Sequence, residues 1–244
     1  MKDILFGYHS ILEALKAQKR QFYSLMLSKK RSVHRLEEIE AIARERNIKI
    51  QMVTPETLDK MTQFSTHQGM AAETSAFPAD NASEVIPRMI KKQTPGFILV
   101  LENIEDPQNM GALVRTAVCA GVDYILIPKD RSCQPSSTVS RSSAGAMEHA
   151  DIYMITNTAS ILRDLKKNGV WVFGLDAQGS TPMYEADLTG NIALVIGGEH
   201  KGIRPLVQKE CDFLLSIPNK GRINSLNASV AGGIAMFEAL RQRG

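Results

Sequence analysis

Cysteine is scarce in this chain, long apolar runs are missing, and the charge is nearly balanced; each shortage removes a class of protein. Three cysteines, Cys119, Cys133 and Cys211, stand far apart with no C-x-x-C pair. Neither a disulfide framework nor a thiolate zinc site fits that spacing, and the thiols read as reduced packing residues. The longest strongly apolar run, Phe97 to Leu101, is far shorter than the roughly 20 residues of a membrane-spanning helix, so no span and no membrane partner are expected. The opening Met1-Lys2-Asp3-Ile4-Leu5-Phe6-Gly7 lacks the apolar core and small-residue cleavage site of a secretion signal, which makes a cytoplasmic location the expectation. The dinucleotide fingerprint G-x-G-x-x-G, the phosphate loop G-K-[ST] and the nucleophile elbow G-x-S-x-G are all absent. His9, His34, His67, His149 and His200 show no metal-ligand spacing, so no metal is expected.

What remains is ordinary in bulk and informative in arrangement. With 244 residues, 43% of them hydrophobic and 23% charged, the chain can build one large domain or two small ones. The net charge of +3 is unevenly placed: 12 basic against 9 acidic residues up to Glu73, then 17 of each. Phosphate binding depends on local charge, so a basic appendage beside a neutral remainder suits RNA selection; a solvated surface explains the same excess equally well.

Residues 1–75 read as a small α/β unit. Ile11, Leu12 and Leu15 form a helical stripe, Phe22 to Leu27 suits a strand, and Leu36, Ile39, Ile42 and Ala43 restore the helical period before a strand from Ile48 to Val53. Thr54-Pro55-Glu56 has the form of an N-cap followed by proline at the first helical position. Between Phe77 and Gly96 the chain turns polar, with Pro78, Pro87 and Pro95, so residues 76–95 read as a linker holding a short helix from Glu84 to Lys92. From there, Phe97–Leu101, Tyr124–Ile127, Trp171–Leu175, Ile192–Ile196 and Phe213–Ile217 alternate with amphipathic segments. That alternation predicts a parallel sheet covered on both faces over residues 96–244.

Three strand-to-helix junctions carry the chemistry. At the first, a helix expected to begin at Asn109 has a clean apolar stripe of Met110, Leu113, Val114, Ala117 and Val118 and ends at Gly121, with Arg115 off the stripe. Taken alone, Asn109 reads as a cap and Arg115 as a solvated side chain. At the second, Gly197-Gly198-Glu199 follows a strand, at the end where open α/β sheets bind ligands, and the glycines admit a close approach to the backbone. Glu199, beside Lys201 and Arg204, is either a turn residue or an anchor for an arginine or a substrate hydroxyl; His200 reads either as a surface side chain or as a histidine with a role in the site. At the third, Ser225 is the expected cap of a helix from Leu226 to Arg243, with Leu226, Val230, Ile234, Phe237 and Leu240 as its packing stripe. Asn227, Ser229 and Gly232-Gly233 are poor helix formers unless something packs against them. A further small-residue stretch, Ser140 to Ala146, is either an exposed loop or a phosphate site built on Arg141.

Taken in order, Asn109-Met110-Gly111-Ala112-Leu113-Val114-Arg115, Ile196-Gly197-Gly198-Glu199-His200-Lys201-Gly202 and the run from Ile217 to Ala231 resemble the motif set of the SpoU/TrmH family of RNA ribose 2′-O-methyltransferases. More weakly, Phe6-Gly7-Tyr8-His9-Ser10-Ile11-Leu12-Glu13-Ala14-Leu15 and His67-Gln68-Gly69-Met70-Ala71 resemble the ribosomal-protein-like RNA-binding domain that precedes the catalytic domain in many members. The resemblance implies S-adenosylmethionine as methyl donor, a trefoil-knotted C-terminal domain and a homodimer with a shared active site. It implies Asn109, Arg115, Glu199, Ser225 and Asn227 as active-site residues, and the backbone at Gly197, Ile217 and Leu226 as the cofactor cradle. The family carries a small residue after the glutamate, where this chain has His200. The branch it points to methylates a guanosine of large-subunit ribosomal RNA. A transfer-RNA ribose methyltransferase on the same fold, or a non-catalytic RNA-binding or ribosome-assembly protein, are the competing expectations.

Overall fold

The apolar segments from Phe97 onward lie side by side as parallel strands, as their continuous hydrophobicity requires when a sheet is buried on both faces. The computed structural model describes residues 2–28, 33–92, 94–198, 202–221 and 225–244. In chain order the elements begin β1 (Lys2–Phe6), α1 (Tyr8–Ala17), β2 (Phe22–Ser28), α2 (Val33–Glu45), β3 (Ile50–Val53), α3 (Pro55–Met61) and β4 (Met70–Ser75). They continue with β5 (Asp80–Asn81), α4 (Val85–Lys91), β6 (Phe97–Glu102), α5 (Pro107–Cys119), β7 (Tyr124–Pro128), α6 (Ser137–Ser142), β8 (Ile152–Ile155) and α7 (Thr158–Lys167). The last are β9 (Trp171–Leu175), β10 (Thr181–Pro182), β11 (Ile192–Gly197), α8 (Pro205–Gln208), β12 (Phe213–Ser216) and α9 (Ala228–Arg243). Two compact units result, residues 1–78 with 135–149, and residues 79–134 with 150–244.

In the first unit a four-stranded sheet has the order β1-β4-β2-β3, antiparallel except for β2 and β3. One face packs Leu5, Leu25 and Leu27 against Ile11, Leu12, Leu15 and Ile39, and the other packs Phe6, Met26 and Ala71 against Leu58. Helix α3 starts as its sequence dictates, with the Thr54 side chain accepting from the Thr57 amide and Pro55 in the first turn. The segment from Pro135 to His149 completes this unit. Ser140, Ser143 and Glu148 are fully buried there, and Arg141 lies over the ring of Phe6 at 5.6 Å. Although the Arg141 side chain itself is exposed, Ser140 to Ala146 is therefore a packed helix end rather than an exposed loop. Its anchor is Arg20, whose buried guanidinium donates to Glu148 at 2.8 and 3.2 Å and to Asp3 at 2.8 Å. Two carboxylates and the Ser75 carbonyl satisfy a charge that would be costly to bury alone.

The second unit is an eight-stranded parallel sheet of order β10-β12-β9-β11-β6-β7-β8-β5. Ile98, Val100, Leu126, Val172, Ala193 and Val195 share one apolar core with Leu162, Leu165 and Val207. Five strands among the described residues go beyond those read from the sequence: β1, β4, β8 and the two-residue β5 and β10. The polar stretch after Phe77 is not structureless, since Asp80 and Asn81 pair with Tyr153 and Met154. The connections between β9 and β12 hold only short helices, so the alternation of strands with amphipathic helices is weak there.

Helix α9 corrects the expected stripe. Gly232, Ala235, Met236 and Ala239 are buried, whereas Leu226, Val230 and Phe237 are 43%, 50% and 48% exposed. The cause lies at Gly232, where a Cβ would come within 2.5 Å of both Ile196 Cδ1 and Leu113 Cδ2. A helix this close to its neighbours turns its small face inward, and its large residues point away. In α9's last turn, Arg243 donates to the carbonyls of Gly96, Leu188 and Gly190 and lies 4.8 Å from the Phe97 ring centroid. No described helix is long and apolar enough to cross a membrane.

Candidate active site

The loops at the carboxyl ends of β6, β9, β11 and β12 form the ligand-binding edge that a parallel sheet offers. Strand β6 ends in Glu102, a fully buried carboxylate. It accepts a hydrogen bond from the Thr158 hydroxyl at 2.7 Å and pairs with Arg204, which comes from the loop after β11. Arg204 is thus engaged by Glu102 from below the loop. Sequence reasoning missed Glu102; its signal was a carboxylate closing an otherwise apolar strand.

Helix α5 begins at Pro107, two residues before the expected start, because Asp106 accepts from the Asn109 amide at 3.0 Å and is the actual cap. Asn109 therefore sits in the first turn rather than at the cap. Arg115 lies on the same helix and is exposed, off the buried Met110, Leu113, Val114 and Ala117. Gly121 follows the helix with φ of 73°, the left-handed turn its sequence position predicts.

Ser225 does not cap the final helix. Asn227 does, its side-chain oxygen accepting from the Ser229 and Val230 amides at 2.9 and 3.3 Å and from the Ser229 hydroxyl at 2.5 Å. With the oxygen so committed, the Asn227 amide nitrogen donates to Asn109 Oδ1 at 3.1 Å. The first and third motifs meet through this bond. Ser225 and Leu226 are exposed in the approach to the helix, and Ile217 is half-buried just after β12. Glu199, together with His200 and Lys201, lies outside the described residues.

Around the second motif the glycines are packed by the chain itself. A Cβ on Gly197 would meet the Gly202 carbonyl carbon at 2.2 Å, and one on Gly198 the Asn103 carbonyl oxygen at 2.1 Å. The Gly198 amide donates to Glu102 O at 2.9 Å, and the Gly202 amide closes the turn on Gly198 O at 2.8 Å. Bulk at Gly197 would thus break the loop before it crowded any ligand. Next to Gly198, Asn103 has φ of 57° and a buried side-chain Nδ2 with no protein partner. An orphaned donor at the strand ends suits a ligand rich in hydrogen-bond acceptors, as a nucleoside bearing an amino acid is. No cluster of His, Cys, Asp or Glu among the described residues could hold a metal ion. The nearby Cys133 thiol is pushed up from its ordinary value by burial and then by Asp106, which disfavours a thiolate. Of the other thiols, Cys119 is exposed rather than packed, and burial holds Cys211 as a thiol.

Comparison with known proteins agrees with this architecture. Residues 96–237 match the model of the SpoU rRNA Methylase family, and residues 4–79 match that of the RNA 2′-O ribose methyltransferase substrate-binding domain. The 23S rRNA (guanosine-2′-O-)-methyltransferase RlmB of Pectobacterium atrosepticum is 35% identical over 244 residues, all of both chains. Its counterpart from Xanthomonas campestris pv. campestris is 42% identical over 209 residues, 86% of this chain and 84% of that one. The crystal structure of the SpoU methyltransferase AviRb from Streptomyces viridochromogenes with AdoMet covers 99% of this chain and 90% of its own, with a TM-score of 0.82 at 20% identity.

Proposed function

Because the chain belongs to the SpoU rRNA Methylase family, we propose that it methylates the ribose 2′-hydroxyl of a guanosine in large-subunit ribosomal RNA, using S-adenosylmethionine. The observation that carries this reading is the Asn227–Asn109 hydrogen bond, which joins two motifs 118 residues apart beside the strand ends. When bound, the cofactor supplies an electrophilic methyl group on a sulfonium. The chain's part is to align the hydroxyl for in-line attack and to exclude competing orientations. The backbone at Gly197, Ile217 and Leu226, together with Asn103 Nδ2, would hold the cofactor. Arg115 orients the target nucleotide through its phosphate and hydroxyl, the two-point contact that a planar guanidinium fork makes. Asn109, Asn227 and Ser225 line the methyl-transfer position, with Glu199 fixing the arginine or the hydroxyl.

The protein acts as a cytoplasmic homodimer with a trefoil knot in its C-terminal domain. The exposed Leu226, Val230 and Phe237 on and before α9 support a second copy as the cover of that face. Residues 1–75 select RNA, 76–95 link, and 96–244 catalyse; full-length relatives named for 23S rRNA favour that substrate over transfer RNA. Calorimetry with S-adenosylmethionine and S-adenosylhomocysteine tests the cofactor, with binding expected. Ribose-methylation mapping of total RNA with and without the gene should show one guanosine of 23S rRNA losing its methyl group. No cofactor binding at millimolar concentration, or an unchanged map, would overturn the reading.

A further inference from the structure

The loop between α3 and β4 holds a bulky aromatic where backbone geometry argues against one. Phe64 is 80% exposed, the highest value among the exposed large hydrophobic residues, and its φ is 59°. Left-handed backbone is an outlier for a bulky side chain, and Gln63 beside it is left-handed too, with φ of 50°. Neither burial nor backbone preference explains Phe64. A strained and exposed aromatic that contributes nothing to its own core is reasonably sought in a contact with something else.

The loop is held firmly. The Phe64 amide donates to Asp59 O at 2.7 Å, and the Thr62 hydroxyl spans Leu58 O and Ser65 O at 2.9 and 3.2 Å. His67 Nδ1 accepts from the Gly69 amide at 2.9 Å, so Nε2 carries the proton and donates to Asp59 at 3.0 Å. Gln68 Oε1 in turn accepts from the Tyr8 amide at 2.8 Å. The ring therefore stands on a fixed mount, with exposed Lys60 one helical turn before it.

We infer that Phe64 is a stacking platform for an unpaired nucleobase of the RNA substrate. Resting on the proposed function, this assigns one contact within the domain matched to RNA substrate binding, residues 4–79. Single-stranded RNA is recognised by bases splayed onto aromatic faces, and a pre-positioned ring loses little freedom on binding. The basic excess before Glu73 supplies the accompanying phosphate attraction.

The test uses the full-length protein with a 23S rRNA transcript as probe. Phe64→Gly relieves the left-handed strain, so its melting temperature should rise by about 2–4 °C. Its affinity for the transcript should fall roughly tenfold or more, the range of one lost base stack. Binding of S-adenosylhomocysteine should not change. Phe64→Trp should keep the affinity, and its added fluorescence should be quenched by RNA. A merely structural aromatic would lower both stability and affinity in Phe64→Gly, and that result overturns the assignment. Wild-type affinity in Phe64→Gly overturns it as well; if methylation were then lost only in cells, the ring would belong to a protein contact. Failure of the unaltered protein to bind the transcript would overturn the RNA substrate itself, a distinguishable outcome.

Discussion

Asn227 donates its side-chain amide to the side-chain oxygen of Asn109 at 3.1 Å while its own oxygen caps α9. One residue thus performs two separable tasks. Asn227→Asp keeps an oxygen for the cap but removes the donor, so thermal stability should stay close to the parent while methyl transfer falls steeply. Asn227→Ala loses both, with a further cost of about 1 kcal/mol from the missing cap. Denaturant melts and single-turnover methylation of the same variants separate the two effects.

Arg115 is exposed on α5, away from the buried stripe. Replacing it by alanine should change stability by no more than about 0.5 kcal/mol, as at other surface sites. Methylation should nevertheless collapse, and Arg115→Lys should restore little, because an ammonium lacks the planar two-point fork. Mixed dimers of Arg115→Ala with an Asn227-disabled chain should regain one working site if the site is shared. Full activity of the Arg115→Ala homodimer would remove this residue from the chemistry.

The Glu102–Arg204 pair is asymmetric, with a fully buried carboxylate and a side chain of Arg204 that is 41% exposed. Arg204→Met leaves the carboxylate without its cation and should cost about 3 kcal/mol, near the lower end for broken buried pairs. Glu102→Gln frees an arginine that can still reach water, and should cost less. Chemical denaturation orders the two; equal costs would mean that Glu102 is compensated elsewhere.

Glu238 gives a pH dependence with a definite sign. Hydrogen bonds from Arg241 and then Gln242 lower its carboxyl from the ordinary 4.5 to about 2. The stabilisation is present above the ordinary value and disappears as pH falls through the folded one. Between pH 4.5 and 2 the melting temperature of the parent should therefore drop more steeply than that of Glu238→Gln. Parallel curves for the two proteins would contradict this account.

Much of this was readable from residue order alone. Apolar runs located β6, β7, β9, β11 and β12 because parallel strands buried on both faces must be hydrophobic throughout. Cap positions were harder, since Asp106 and Asn109, or Ser225 and Asn227, are equally good capping residues a few positions apart. The face of α9 was misread because large side chains ordinarily mark the buried side, and Gly232 reverses that by bringing the helix too close for them. Nothing local could reveal Glu102 as the partner of Arg204, or Arg20 as that of Glu148, because each pair spans more than a hundred positions. Phe64 looked unremarkable as a letter; only its left-handed backbone and exposure set it apart.

The pairing of Phe97 with Ile192 sets the order in which this protein can be made. During synthesis β6 can recruit β7 almost at once, but its other edge must wait for β11, nearly a hundred residues later. Until then a strand that is apolar from Phe97 to Leu101 has one side unpaired, a template for any neighbouring nascent chain. The half-finished polypeptide is therefore the stage most open to aggregation, and slowing translation before Ile192 should increase its demand for chaperones.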